Sequence, residues 1–379
     1  MAQPNTKNSR FIPALTGLRA ICAYGIFFYH LNVFSPASQP ELHRFMGQFY
    51  SFIPFFFVIS GFVIFYNYYK EEGYTKNELY NYFVSRFARI FPLLIILNAC
   101  IFFLSYREHI YTAAQSVKLF FLNISLLKGF SSIYLLTGVG PSWTNSVEEI
   151  FYLVAPLIFL LYRKKYFLAK LILLFYSLGI IISFIMSRVD FEGFFSSYVF
   201  TFYFTFFGRV FEFVAGIYLA QLYMGLKTNK FLSTIGPSTV YLGPLLIGLC
   251  FFAQYFIAGY YGVAHANEVW PGIFVNNICF PIAIFLFLYS LLYYKTLLQR
   301  FFSIPFIVKL GNATYSFYLL HTTFVLSYIY KFISKNIFIT LIIMVLIAYL
   351  VYKTIEQPLA KLIRKKLSRP GQVQPNLEK

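Results

Sequence analysis

Apolar runs of about twenty residues, separated by short charged stretches, recur along the whole chain. A helix needs roughly 20 apolar residues at ~1.5 Å each to cross hydrocarbon. Ten runs approach that length and predict ten helices, at 11–34, 49–69, 88–106, 146–162, 167–187, 198–223, 238–258, 272–293, 312–332 and 336–356. A shorter apolar run, 117–136, contains Lys118 and Lys128 and reads as a re-entrant or interfacial segment. The expected fold class is an all-α integral membrane protein with about ten transmembrane helices. No internal repeat and no second soluble domain is visible. Residues 1–359 form one transmembrane domain in this reading, and 360–379 a basic, disordered cytoplasmic tail.

Composition agrees. Of 379 residues, 59% are apolar, 22% aromatic and 12% charged. Soluble domains hold roughly 45–50% apolar and about 25% charged residues, so one core could not hide this much apolar surface, whereas a bilayer accepts it. The net charge of +18 would suggest nucleic acid in a soluble protein. Here its distribution argues otherwise. With the N-terminus inside, 23 of the 31 basic residues fall in cytoplasmic segments, seven outside, and Arg209 within a span. That asymmetry predicts an even number of helices with both termini cytoplasmic, and no nucleic-acid partner. Met1 to Arg10 is polar and lacks a small-residue cleavage site, so the first run is expected to be a retained helix. Cys22, Cys100, Cys250 and Cys279 each sit in an apolar stretch, without metal spacing, and read as small core residues.

Ionisable residues inside spans cost at least ~2.5–3.5 kcal/mol at the bilayer centre, so each is a functional candidate. Arg19 and His30 lie eleven residues apart on the first helix, about 16 Å and close to three turns, so both face one way. A cation below and an imidazole above suit a long anionic ligand entering from the cytoplasm. Glu148 and Glu149 open the fourth helix, where Ser146 is a candidate cap and acids suit the dipole. Placed at the depth of His30, Glu148 would instead hold the histidine tautomer. Arg86 and Arg89 form RxxR at the expected start of the third helix, either as anchors or as a phosphate clamp. Arg209 and Glu212, three apart, are an internal ion pair or a ligand contact. His321 is a packed or a functional histidine. Ser60 and Gly61 permit close approach of a helix or a ligand. His43, His109 and His265 fall in external loops and carry no signal. A Gly-rich phosphate loop is absent, so any nucleotide must be held by side-chain cations; no metal-ligand spacing is present.

These residues carry a resemblance. FIPALTGLRAICAYGIFFYH resembles the opening of the acyltransferase 3 family, a basic residue and, after ten others, a histidine. FFFVISGF, SRFARIFPL, PSWTNSVEEIFYLVAP, GRVFEFVAGIYLA, GNATYSFYLLHTTF and IEQPL resemble its later motifs in the family's order, over residues 11–359; Thr144 replaces the usual first serine of the fourth. The resemblance implies O-acylation of hydroxyls on surface polysaccharides or lipid-linked glycans, usually from acetyl-CoA, in the bacterial inner membrane. No permanently bound cofactor or metal is implied. It places essential roles on Arg19 and His30, and site roles on Arg86, Arg89, Ser146 and Glu148, with Trp143 in the same element as Ser146. The mechanism expected has acyl-CoA held by Arg86, Arg89 and Arg19, Ser60 near the oxyanion, Arg209 and His321 as further substrate contacts, and His30 as general base beside Glu148. A covalent acyl-histidine is a variant of it. The competing class is a transporter or flippase for a glycan or lipid intermediate, which intramembrane charges also fit.

Overall fold

A computed structural model describes residues 11–164, 166–189 and 191–370. Lys7, Arg10, Lys165, Lys379, the polar N-terminus and the end of the tail lie outside them. Among the described residues the chain is helical without a strand; Ser131 and Phe194 form one isolated bridge. The principal helices are α1 Pro13–His30, α2 Ile53–Tyr68, α3 Lys76–Arg107, α4 Ala113–Ile124, α5 Trp143–Leu161, α6 Phe167–Val189, α7 Phe206–Tyr223, α8 Thr239–Tyr261, α9 Phe280–Tyr293, α10 Thr314–Leu320, α11 Phe324–Phe332, α12 Ile337–Val351 and α13 Gln357–Leu367. Among the described residues, eight helical segments are long and apolar enough to cross a membrane. Two of the ten runs read from sequence fall outside that set. One is α1, 18 residues whose Arg19 and His30 lower its apolarity. The other, 312–332, is broken into α10 and α11 at His321 to Thr323, where the Thr323 hydroxyl caps α11.

Two boundaries correct the sequence reading. Helix α3 starts at Lys76, not near 88, because Thr75 and Glu78 form a capping box there. Arg86 and Arg89 therefore stand well inside the helix, about 15 and 20 Å from its start. The tail is not disordered from 360. Helix α12 runs through a π turn, Tyr352–Glu356, into α13, and α13 packs on α3. Beyond it, Asn81 Nδ2 donates to the Arg369 carbonyl at 3.0 Å and the Arg369 N–H donates to Asn81 Oδ1 at 2.8 Å. The Arg369 guanidinium lies 4.1 Å from the Tyr80 ring centroid.

Small residues set the helix spacing. A Cβ on Gly61 would lie 2.1 Å from the Phe213 carbonyl oxygen, and one on Gly216 2.0 Å from that of Val58, so α2 and α7 meet backbone to backbone. A Cβ on Gly17 would meet the Phe302 carbonyl at 2.0 Å, and one on Gly311 that of Thr16 at 2.0 Å. These contacts lock α1 against the segment 302–311 and fix where Arg19 points. Of the cysteines, Cys22 and Cys250 are buried as expected, while Cys100 is exposed on the helix surface.

The segment around 117–136 does not span. Helix α4 has 12 residues, about 18 Å, and the chain then turns at Leu126, whose φ is 62°. Lys128, fully buried, donates to the carbonyls of Thr137 and Val139, both at 2.7 Å. The ammonium thus closes the loop, satisfying the buried Val139 carbonyl and the partly buried Thr137 carbonyl. Lys128→Met is expected to lower stability by about 1–3 kcal/mol, the cost of stranding the buried Val139 carbonyl. Lys118→Met, which breaks an exposed contact with Glu192, should leave the melting temperature in detergent nearly unchanged. Equal melting of both variants would contradict the clamp.

Candidate active site

Helix α1 brings Arg19 to the middle of the bundle, where it lines three cavities. The largest, about 160 Å³, lies at the end of the bundle where α1 begins; Thr16, Asn67, Arg89, Tyr315, Glu356 and Arg364 contribute to its wall. The second, about 40 Å³, is walled by Phe56, Asn145, Glu148, Tyr315 and Tyr318. The third, about 20 Å³, touches Ser60, Arg86, Arg89, Glu148 and Tyr152. Arg89 and Ile59 line the first and third, and Phe56 and Glu148 the second and third, so the three surround one cationic centre. Among the described residues, neither Arg19 nor Arg89 forms an ion pair. Two guanidiniums facing a cavity without a bound carboxylate suit a phosphate-bearing ligand.

Glu148 belongs to this centre and not to His30. The Ser60 hydroxyl donates to Glu148 Oε1 at 3.1 Å, the Tyr152 hydroxyl donates to Oε2 at 3.0 Å, and the two hydroxyls are 3.0 Å apart. Ser60 is the eighth residue of α2, at mid-bundle, because Gly61 seats α2 on α7. The expected depth of Glu148 was too shallow. Helix α5 begins at Trp143, preceded by a short 3₁₀ turn, so Glu148 stands more than a turn inside and level with Arg19. Ser146 does not cap the helix. It is buried, donating to the Leu126 carbonyl at 2.7 Å, and so ties α5 to the re-entrant loop. Arg86 is buried, donates to the Tyr68 hydroxyl at 2.6 Å and stacks near the rings of Tyr68 and Tyr152, at 4.8 and 5.5 Å. It supports the third cavity from behind; Arg89, one turn on, lines both the first and the third.

At the far end of α1, His30 is exposed and its ring centroid lies 5.2 Å from that of His321. His321 is fully buried; its Nδ1–H donates to the Tyr318 carbonyl at 2.8 Å, and its ring is parallel to Phe317 at 5.7 Å. Tyr318 separates the two regions. Its hydroxyl bonds Thr144 and the Pro141 carbonyl, both at 3.2 Å, its ring packs on His321, and it walls the second cavity. His265, which carried no signal in the sequence, joins this end. Its ring is 5.3 Å from that of Tyr29 and its Nδ1 is 3.1 Å from the Gly47 carbonyl. Burial pushes its imidazole below the usual range. Nothing in the loop's spacing announces it, since only the fold brings residue 265 beside residue 29. Glu356 was also missed as a site residue. It was visible only as part of IEQPL, and the π turn aims it at the largest cavity, where it accepts from Ser316.

Two further candidates are held by the fold and, like Ser146, His30 and His321, line none of the three cavities. Trp143 packs edge-on to Phe204, 5.0 Å between centroids. Arg209 is fully buried; it donates to the Tyr203 carbonyl (2.7 Å), to Glu212 (2.7 Å) and to Asn277 (3.0 Å). Of its two sequence readings, the internal ion pair is the one present.

A helical membrane protein with a cation-lined cavity at one end and a histidine pair at the other is the class these features define. The chain belongs to the acyltransferase 3 family, whose acyltransferase-domain model matches residues 12–353. It is 26% identical over 378 residues to a Staphylococcus aureus (strain COL) protein named "Putative O-acetyltransferase", covering 94% of this chain and 58% of that one. It is 29% identical over 171 residues to the O-acetyltransferase OatA of S. aureus strain NCTC 8325, covering 41% of this chain and 26% of OatA. The chain thus spans less than two thirds of the length of these curated relatives. No solved structure matches it.

Arg209→Met is expected to destabilise the protein by about 3–5 kcal/mol, because it leaves Glu212 charged and unpaired in the core. Arg209→Met with Glu212→Leu should recover most of that loss in thermal unfolding. If the double variant melts no higher than the single one, the pair is not the reason Arg209 matters.

Proposed function

We propose that this chain is an O-acyltransferase that moves an acyl group, acetyl first among candidates, from cytoplasmic acyl-CoA to a hydroxyl of a surface glycan or lipid-linked saccharide on the outer side. It lies in this reading in a bacterial inner membrane, crossing ten times, with α1 and the broken α10–α11 pair as two of the crossings and both termini inside. The observation that carries the proposal is the arrangement along α1: unpaired Arg19 and Arg89 facing the largest cavity, and His30 one helix-length away at the opposite end. Family membership and the O-acetyltransferase relatives support it.

The phosphates of CoA sit at Arg89, Arg19 and Arg364, where planar guanidinium forks match phosphate oxygens. The pantetheine arm follows α1 past Glu148 and Tyr318. His30 accepts the proton of the acceptor hydroxyl as its oxygen attacks the thioester carbonyl carbon. The C–S bond breaks, the CoA thiolate leaves and takes up a proton, and the acyl ester remains on the acceptor. Ser60 and Tyr152 orient Glu148 beside Arg19 and hold the passage polar, so Glu148 organises the donor path and is not the partner of His30.

Purified protein in detergent, given acetyl-CoA and an envelope glycan extract, is expected to release CoA in an acceptor-dependent way. His30→Ala should cut that rate at least 100-fold while acetyl-CoA binding, followed by isothermal titration, is unchanged. Arg89→Ala should weaken acetyl-CoA binding at least tenfold. A His30→Ala protein turning over near the wild-type rate would overturn the assignment. A wild-type protein that binds no acetyl-CoA but moves glycan across proteoliposomes would favour transport.

A further inference from the structure

His321 has a hydrogen-bonding capacity that the fold leaves unused. A carbonyl only accepts, so the 2.8 Å contact to the Tyr318 carbonyl requires the proton on Nδ1. In the neutral ring Nε2 then carries the lone pair. That atom is buried and has no hydrogen-bond partner among the described residues. Stranding an acceptor in a protein interior is costly, and a buried polar atom without a partner requires a reason.

The ring nearest to supplying that partner is His30, 5.2 Å away between centroids. Imidazole nitrogens stand about 1.1 Å from the ring centre, so nitrogens facing each other across that gap would be about 3 Å apart, hydrogen-bond distance. The two rings are tilted by 52° and do not yet face, so a rotation of the exposed His30 ring closes the contact. His321 cannot make the reciprocal movement. Phe317 is parallel to it, Tyr318 packs against it at 5.5 Å, and its Nδ1 is tied to the backbone. The groups facing this pair are Tyr29 on α1, Phe317 and Tyr318 on α10, and His265 from the loop after α8. Glu268 stands one residue removed, accepting from the His265 backbone N–H at 3.0 Å. The nearest carboxylate on α5, Glu148, is occupied by Ser60 and Tyr152.

We infer that His321 is the positioning residue for His30: its Nε2 accepts one ring N–H of His30 and fixes the tautomer that leaves the other His30 nitrogen open to the acceptor hydroxyl. This deepens the proposed function and rests on it for the catalytic meaning. An imidazole here does what a carboxylate does in a serine-hydrolase triad, orienting the base and its tautomer. It does so without placing a formal charge in the membrane. When His30 takes the hydroxyl proton, the imidazolium keeps its bond to Nε2 and returns the other proton to the departing thiolate.

The test uses two substitutions that divide the functions of the ring. His321→Asn keeps an amide donor for the Tyr318 carbonyl and removes Nε2; His321→Gln places an amide oxygen near the Nε2 position. The expected result is a 100-fold or greater loss of kcat in His321→Asn, with the KM for acetyl-CoA and the melting temperature within twofold and 2–3 °C of wild type. His321→Gln should recover to within tenfold. A second measurement does not need turnover. ¹⁵N-imidazole NMR of His30 in micelles should show one tautomer in wild type and in His321→Gln, and a mixture in His321→Asn. A wild type without CoA release but with His30 in a single, His321-dependent tautomer would retire the proposed function and keep the pairing. A tautomer mixture in wild type, or a His321→Asn protein with wild-type kcat, would overturn the pairing.

Discussion

A guanidinium held seven residues into a bundle helix costs a few kcal/mol unless the protein supplies a polar surrounding. Arg19 is that group, and much of the site is organised around it. Glu148 comes from α5, Glu356 from the turn after α12 and Arg89 from α3; all line the cavities that Arg19 touches. Among the described residues neither carboxylate forms an ion pair with Arg19, and Arg89 adds a second cation beside it. Arg209, in contrast, is enclosed in the core in an ion pair with Glu212, with Arg209 Nη2 and Glu212 Oε2 left without a hydrogen-bond partner among the described residues. Arg19 lines three cavities, whereas Arg209 lines none of them.

Close backbone packing makes the arrangement possible. Gly17 and Gly311 fix α1, and Gly61 and Gly216 fix α2, so the side chains next to them, Arg19 and Ser60, have little freedom in where they point. The re-entrant loop serves the same end. Lys128 closes its carbonyls and Ser146 ties it to α5, which sets the depth of Glu148 two residues further on. The break between α10 and α11 provides a turn on which a buried histidine can sit, with its backbone groups satisfied by Thr323 and by the helix ends.

Much of this was legible in the sequence. Apolar runs gave the helices because the bilayer sets their length, and the intramembrane ionisable residues gave the candidates because each is costly. Arg19 and His30 stand as candidates on that ground, and Arg89 as half of an RxxR pair. What failed were statements about depth and pairing. The apolar pattern suggests a start for α5 three residues later than Trp143, and that offset would bring Glu148 to the depth of His30. The polar residues in 76–87 mask an amphipathic extension of α3, which hides how far Arg86 and Arg89 stand from its start. Ser146 and Trp143 turned out to face neighbouring segments, which a motif does not reveal. His265 and the lone pair of His321 depend on contacts between distant parts of the chain.

The most direct measurement is a structure of the protein in nanodiscs with a non-hydrolysable acetyl-CoA analogue. The expected density has the phosphates between Arg89 and Arg364 at the end where α1 begins, and the thioester end lying past Arg19 towards Tyr318 and His30. Density for the nucleotide at the His30 end, or on the lipid-facing surface, would contradict a donor site organised around Arg19.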